Sequence, residues 1–335
     1  MHQLFEQQVE RTPDAVALVF EDQQLSYSEL NARSNRLARY LRKHDVGDGT
    51  PVGLCLDRSL DLVVSILGIL KAGGNYVPLD ADYPMKRLKN MLELAELKHL
   101  VTQSQLDAKL PSTKRLDICI DRDANEIASE DSSNLELAHA SHRLAYIMFT
   151  SGSTGEPKAI MIEHRSIVRL VFHVQYARFG LDRVFALLAP VSFDASTFEL
   201  WGALLHGGRL VIPSTGLHDA KLLKQLIVGH KVTTLWLTSS LFNQIVDQEP
   251  LALLGLDELL IGGEALSVNH VKKGITALND TATIINGYGP TESTTFACCF
   301  RIPSTLSLGV GSIHGDSPRV FCEMVFCRTR STFFD

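Results

Sequence analysis

The chain reads as an α/β protein, mostly parallel sheets sandwiched by helices. Two observations predict this. Short apolar runs of strand length alternate with helix-length segments along most of the chain, the pattern of strands joined by crossover helices. The strand-like runs are apolar along their whole length, as strands covered on both faces are. There is no low-complexity tract and no internal repeat that would suggest a solenoid.

Each element follows in order. Ala15–Phe20 reads as a strand. Ser26-Tyr-Ser-Glu29 is a capping box, in which serine and glutamate serve each other's backbone N–H. It opens a helix with Leu30, Leu37 and Leu41 at helical spacing and Gly47 as its end. Pro51–Leu56 is a short strand, and Asp61–Lys71 an apolar helix stopped by Gly73-Gly74. Tyr76–Leu79 is a strand, and Pro84–Leu97 a helix that starts on proline. Residues 103–142, rich in Asp, Ser, Asn and Lys, read as a surface excursion between two lobes, about 1–102 and 143–303. Leu144–Phe149 then reads as a buried strand. Further strands are expected at Val184–Ala189, Arg209–Ile212, Thr233–Leu237, Glu258–Ile261 and Thr283–Ile285. Helices are expected near Ser196–Leu205, Asp219–Val228, Ser240–Val246 and Val268–Leu278.

Composition narrows the function. The chain has 335 residues, 45% hydrophobic and 21% charged, the balance of a soluble globular protein. A net charge of −6 without a Lys/Arg run gives no basic face for nucleic acid. The longest apolar stretches, such as Leu62–Leu70, are too short to span a bilayer, and no secretion signal opens the chain. The six cysteines form no C-x-x-C pair, which fits reduced thiols in a cytoplasmic protein better than a disulfide or zinc framework.

Ligands of such sheets gather where strands end, so the loop after Phe149 matters most. It reads Thr150-Ser-Gly-Ser-Thr-Gly-Glu-Pro-Lys158. Gly152 and Gly155 let backbone N–H groups turn toward an anion. The hydroxyls of Thr150, Ser151, Ser153 and Thr154 add donors, and Lys158 adds a point charge. An ordinary Ser/Gly surface turn is the plain alternative; a Walker A loop is excluded by its spacing.

This loop resembles the phosphate loop of the adenylate-forming (AMP-binding) superfamily, although Ala159 stands where that family usually has glycine. Other segments resemble the family's motifs in order. Leu70–Leu79 and Asp82-Tyr-Pro84 resemble two early motifs of nonribosomal peptide synthetase adenylation domains. Phe193-Asp-Ala-Ser196 through Glu199 resembles the segment lining the amino-acid pocket. Gly262-Gly263-Glu264 resembles the turn beside the adenine, and Asn286-Gly287-Tyr288-Gly289-Pro-Thr291-Glu292 the most diagnostic nucleotide motif.

The resemblance implies the large N-terminal subdomain of an adenylation domain. It implies ATP and Mg²⁺ as cofactors and joining of an amino-acid carboxylate to the α-phosphate with release of pyrophosphate. Lys158, Thr291 and Glu292 would carry the chemistry, with Tyr288 against adenine, the Thr291 hydroxyl at the α-phosphate and Glu292 as the metal ligand. Asp194 would pair with the substrate's α-ammonium; taken alone, it could equally be a helix N-cap. The pocket wall would read Ala195, Phe198, Trp236, Leu260, Gly262, Gly287, Thr295 and Phe296, an uncharged set suited to valine or another branched aliphatic residue. The implied partner is a phosphopantetheinyl carrier domain, absent from this chain.

The resemblance fades after about Pro303. Residues 304–335 read as a divergent tail in which the family's β-barrel lobe, ribose-binding Asp and second lysine are not recognisable. Two classes therefore stand open: an amino-acid-adenylating ligase, and a truncated noncatalytic remnant that binds only ATP or a partner.

Overall fold

The computed structural model describes residues 1–137, 140–151, 157–214 and 219–304. The chain forms two compact units. The first is Met1–His173 with Phe179–Gly216, and the second Val174–Arg178 with Leu217–Asp335.

The first unit opens with α1 (His2–Arg11), β1 (Val16–Phe20), β2 (Gln23–Ser26) and α2 (Tyr27–Lys43). The Ser26–Glu29 capping box is present in both directions. α2 ends earlier than Gly47: His44 caps it and Asp45 takes the left-handed turn, φ 63°, a conformation short polar side chains tolerate. Next come β3 (Pro51–Leu54), α3 (Leu60–Ala72), β4 (Asn75–Pro78), α4 (Met85–Leu94) and β5 (His99–Thr102). α3 is apolar on every side because it lies between β1 of one sheet and β3 and β4 of another. Gly73, φ 96°, stops it. Lys71, 1% exposed, survives that burial by pairing with Glu6 and donating to Asn31 Oδ1 at 2.8 Å. The motif segment Leu70–Leu79 is thus a helix end and a buried strand, a structural seam of the unit.

The polar stretch after residue 102 is less of an excursion than its composition suggests. It contributes β6 (Leu116–Cys119), which extends the sheet beside β5, and the short α5 (Ala124–Ala128). Its loop is tied to α2 by Asn35 and Arg39, which donate to backbone carbonyls at Ser132, Asp131 and Ser133. Polar composition hid this because β6 is an edge strand. β7 (Leu144–Ser151), β8 (Pro157–Glu163), α6 (His164–Val171), β9 (Val184–Ala186), α7 (Ala195–Leu204) and β10 (Arg209–Ile212) complete the unit.

Its six-stranded sheet runs β6-β5-β3-β4-β7-β8, parallel except for the final β7–β8 pair. Its second layer has β10 between β9 and β1, all parallel, with β2 antiparallel at the edge. The chain after residue 143 therefore returns to strands laid down before residue 102. For that reason the units do not divide at 103–142.

The second unit carries α8 (Ala220–His230), β11 (Thr234–Thr238), α9 (Ser239–Gln248), β12 (Glu258–Gly262), α10 (Val268–Ala277), β13 (Thr283–Tyr288) and β14 (Cys298–Ile302). β11, β12 and β13 are parallel neighbours, and β14 closes the edge antiparallel to β13. β13 runs three residues beyond its expected end because β14 supplies partners out to Tyr288↔Cys298. Cys55, Cys119, Cys298 and Cys299 are free thiols, and Cys322 and Cys327 lie outside the described residues. Among the described residues, no helix is long and apolar enough to cross a membrane.

Candidate adenylate-forming site

In the first unit the phosphate-loop candidate lies between antiparallel strands. Thr150 sits opposite Lys158 and Ser151 opposite Pro157. Directly opposed residues share a face, so the Thr150 hydroxyl and the exposed Lys158 ammonium emerge on the same side of the hairpin. Gly152, Ser153, Thr154 and Gly155 lie outside the described residues.

The same unit holds Asp194, at the N-cap of α7. Its side chain makes no capping hydrogen bond; the carbonyl accepts from Thr197 N–H at 2.9 Å instead. Ala195 and Phe198 follow on α7, both buried. Thr197, on the same turn, donates to the Tyr146 hydroxyl of β7 at 3.3 Å. Burial raises the Tyr146 phenol and the nearby negative charge of Asp194 raises it further, while Thr197 opposes this.

In the second unit the remaining candidates gather where parallel strands end. Register places Trp236 beside Leu260 and Gly262 beside Gly287. Gly262 and Gly287 touch backbone to backbone, and a β-carbon on Gly287 would fall 2.6 Å from the Phe296 ring. Trp236 Nε1 is a buried donor without a protein partner, 3.7 Å from where a Gly262 β-carbon would stand. Phe296 is buried, and Tyr176 meets it edge-on at 5.8 Å.

The turn Gly262-Gly263-Glu264 is fastened by residues that the sequence did not single out. Ser239 donates its hydroxyl to the carbonyls of Gly262 and Glu264 at 3.1 and 2.9 Å, and Ser240 donates to the Glu264 carboxylate at 2.6 Å. The signal was available: two serines open a helix directly after a strand, where hydroxyls reach loop carbonyls. Asn286, Gly287 and Tyr288 end β13, and Tyr288 is 58% exposed, a ring left uncovered rather than built into a core. Gly289 and Pro290 lead into a 3₁₀ turn at Thr291–Ser293 that carries Thr291 and an exposed Glu292. Thr294 and Thr295 follow with φ 60° and 65°, a left-handed pair that β-branched residues rarely adopt. Such strain marks sites where function fixes the backbone.

The donor set fits magnesium in one way. Among the described residues no three His, Cys, Asp or Glu side chains cluster to cage a metal. Glu292 could hold Mg²⁺ jointly with phosphate oxygens, the usual arrangement for this hard cation.

A family model described as AMP-binding enzyme matches residues 5–319. Tyrocidine synthase 3 of Brevibacillus parabrevis is 43% identical over 303 residues, covering 90% of this chain but 5% of that protein. The Klebsiella oxytoca NpsA N-terminal subdomain in complex with 3-hydroxybenzoyl-AMSN superposes with TM-score 0.83 at 28% identity, covering 90% of this chain and 75% of that one. NpsA-ThdA, an artificially fused Adenylation-PCP di-domain NRPS from the same organism, gives TM-score 0.84 at 28% identity over 90% and 59% of the respective chains.

Proposed function

The chain belongs to the AMP-binding enzyme family, and within it we propose that it activates an amino acid with ATP, as part of a nonribosomal peptide synthetase. The product is an aminoacyl adenylate and the leaving group pyrophosphate. The observation that carries this reading is the placement of Asp194: a carboxylate at the head of α7, followed by the buried apolar pair Ala195 and Phe198. An α-ammonium is the substrate group such a carboxylate suits.

Each chain residue then has a task. Lys158 and the Thr150 hydroxyl, on one face of the hairpin, neutralise the departing phosphates. Tyr288 offers its exposed ring to adenine, and Thr291 its hydroxyl to the α-phosphate. Glu292 would hold Mg²⁺, which would screen the phosphate charge that repels the incoming carboxylate. No side-chain nucleophile is required, because the substrate carboxylate attacks; the protein's contribution is alignment and charge neutralisation. In the second unit, Trp236, Leu260, Thr295 and Phe296, with Gly262 and Gly287, are the residues the family resemblance assigns to the amino-acid pocket. It carries no charge, which favours valine or a similar branched aliphatic residue. NpsA-ThdA joins an adenylation domain to a PCP domain, and the proposed partner here is likewise a phosphopantetheinyl carrier.

Amino-acid-dependent exchange of pyrophosphate into ATP tests the proposal. Valine is expected to give the fastest exchange. Fastest exchange with a charged or aromatic amino acid would overturn the pocket reading. ATP binding without exchange for any amino acid would favour a noncatalytic remnant.

A further inference from the structure

Glu199 lies on the fifth residue of α7 and is 1% exposed. Its carboxylate accepts from the Ala189 N–H, at 3.1 Å through Oε2 and 3.4 Å through Oε1. Arg58, on the segment before α3, donates through its two terminal nitrogens to the carbonyls of Leu187 and Leu188. A carboxylate and a guanidinium therefore hold three consecutive residues of one connection, the first by its N–H and the second by its carbonyls. That connection is short of regular structure: β9 stops at Ala186 and α7 begins at Ala195. It ends on Asp194. Ser196 ties the residue before Asp194 by donating to the Phe193 carbonyl at 2.6 Å.

Anchoring a connection through desolvated polar side chains is a poor way to gain stability, since apolar residues of equal volume commonly do as well. What it supplies is a fixed geometry. Arg58 needs its planar fork to reach two carbonyls at once, which an ammonium does not provide. Glu199 meets the Ala189 N–H, which needs an acceptor oxygen on the carboxyl group.

We propose that Glu199 and Arg58 are positioning residues that clamp Leu187–Ala189 and thereby aim the Asp194 carboxylate at the substrate's α-ammonium. The inference rests on the amino-acid reading above. Burial raises the Glu199 carboxyl to about 8, opposed by the Ala189 N–H and Arg58, so near neutral pH it is mainly the neutral acid, whose carbonyl oxygen still accepts from Ala189.

Calorimetric titration of the full chain tests it with two probes, valyl sulfamoyl-adenosine and its counterpart lacking only the α-amino group. A charged hydrogen bond corresponds to a preference of about tenfold or more for the ammonium-bearing probe. Glu199→Leu, which removes the acceptor for the Ala189 N–H, and Arg58→Lys are each expected to bring that preference below about threefold while leaving affinity for the deamino probe within about threefold. Circular dichroism checks folding, and if one variant does not fold the other decides. A preference retained in a folded variant, or equal loss for both probes, overturns the inference alone. A wild-type chain without preference overturns the amino-acid reading and this inference with it.

Discussion

A β-carbon on Gly262 would stand 2.2 Å from the carbonyl oxygen of Gly287, closer than a β-carbon can come to backbone. The ends of β12 and β13 thus meet through two glycines, where the adenine-side turn and the nucleotide motif begin. Gly262→Ala must push these strand ends apart. Overpacking of this kind costs about 1–3 kcal/mol, and adenylate-analogue affinity should fall with it. A thermal midpoint unchanged from wild type would contradict the close approach.

Asp194→Asn separates charge from capping. Asparagine caps helices about as well as aspartate, so the folded state should persist. Without the charge, affinity for an aminoacyl-adenylate analogue should drop about tenfold or more. Calorimetry provides the check, and an unchanged Kd would return Asp194 to a structural role.

Glu292→Gln tests the metal assignment. ATP affinity of the wild-type chain should rise on adding Mg²⁺ and fall on chelation, and the variant should lose most of that response. A variant that keeps the full Mg²⁺ response would place the cation elsewhere.

Glu6→Ala should destabilise the first unit sharply. It strands Lys71, whose ammonium burial pushes down and Glu6 holds up. Breaking one side of a buried pair commonly costs about 3–5 kcal/mol. Urea unfolding of variant and wild type measures this directly.

Glu199 also makes a pH prediction. Its folded value, raised to about 8, lies above the ordinary 4.5. Between those values the folded state holds a proton that the unfolded state has released. The stability this provides is complete below 4.5 and is lost as pH rises through about 8. The slope is at most about 1.4 kcal/mol per pH unit. Glu199→Gln should flatten the decline in urea-unfolding free energy between pH 5.5 and 8. An unchanged slope would mean another group titrates there.

The sequence by itself determined a good deal. Apolar runs alternating with helices specify two-sided parallel sheets, because strands buried on both faces have no solvent face to mark. The Ser26–Glu29 box and Gly73 fixed helix ends through interactions only a few residues long. The motif residues from Asp194 to Glu292 could be proposed from sequence because their chemistry is local: hydroxyls, glycines and carboxylates at set spacing after strands. Tertiary structure decided what depends on distant partners. It decided that β7 returns to β4 and β10 to β1, so the units divide elsewhere than at 103–142. It turned the polar stretch into an edge strand, whose exposure allows a composition that periodicity does not detect. It also found Ser239 beneath the Gly262–Glu264 turn and Arg58 on the carbonyls of Leu187 and Leu188. Arg58 and the Leu187 carbonyl it holds are 129 residues apart in the chain, and no local pattern can announce a hydrogen bond of that span.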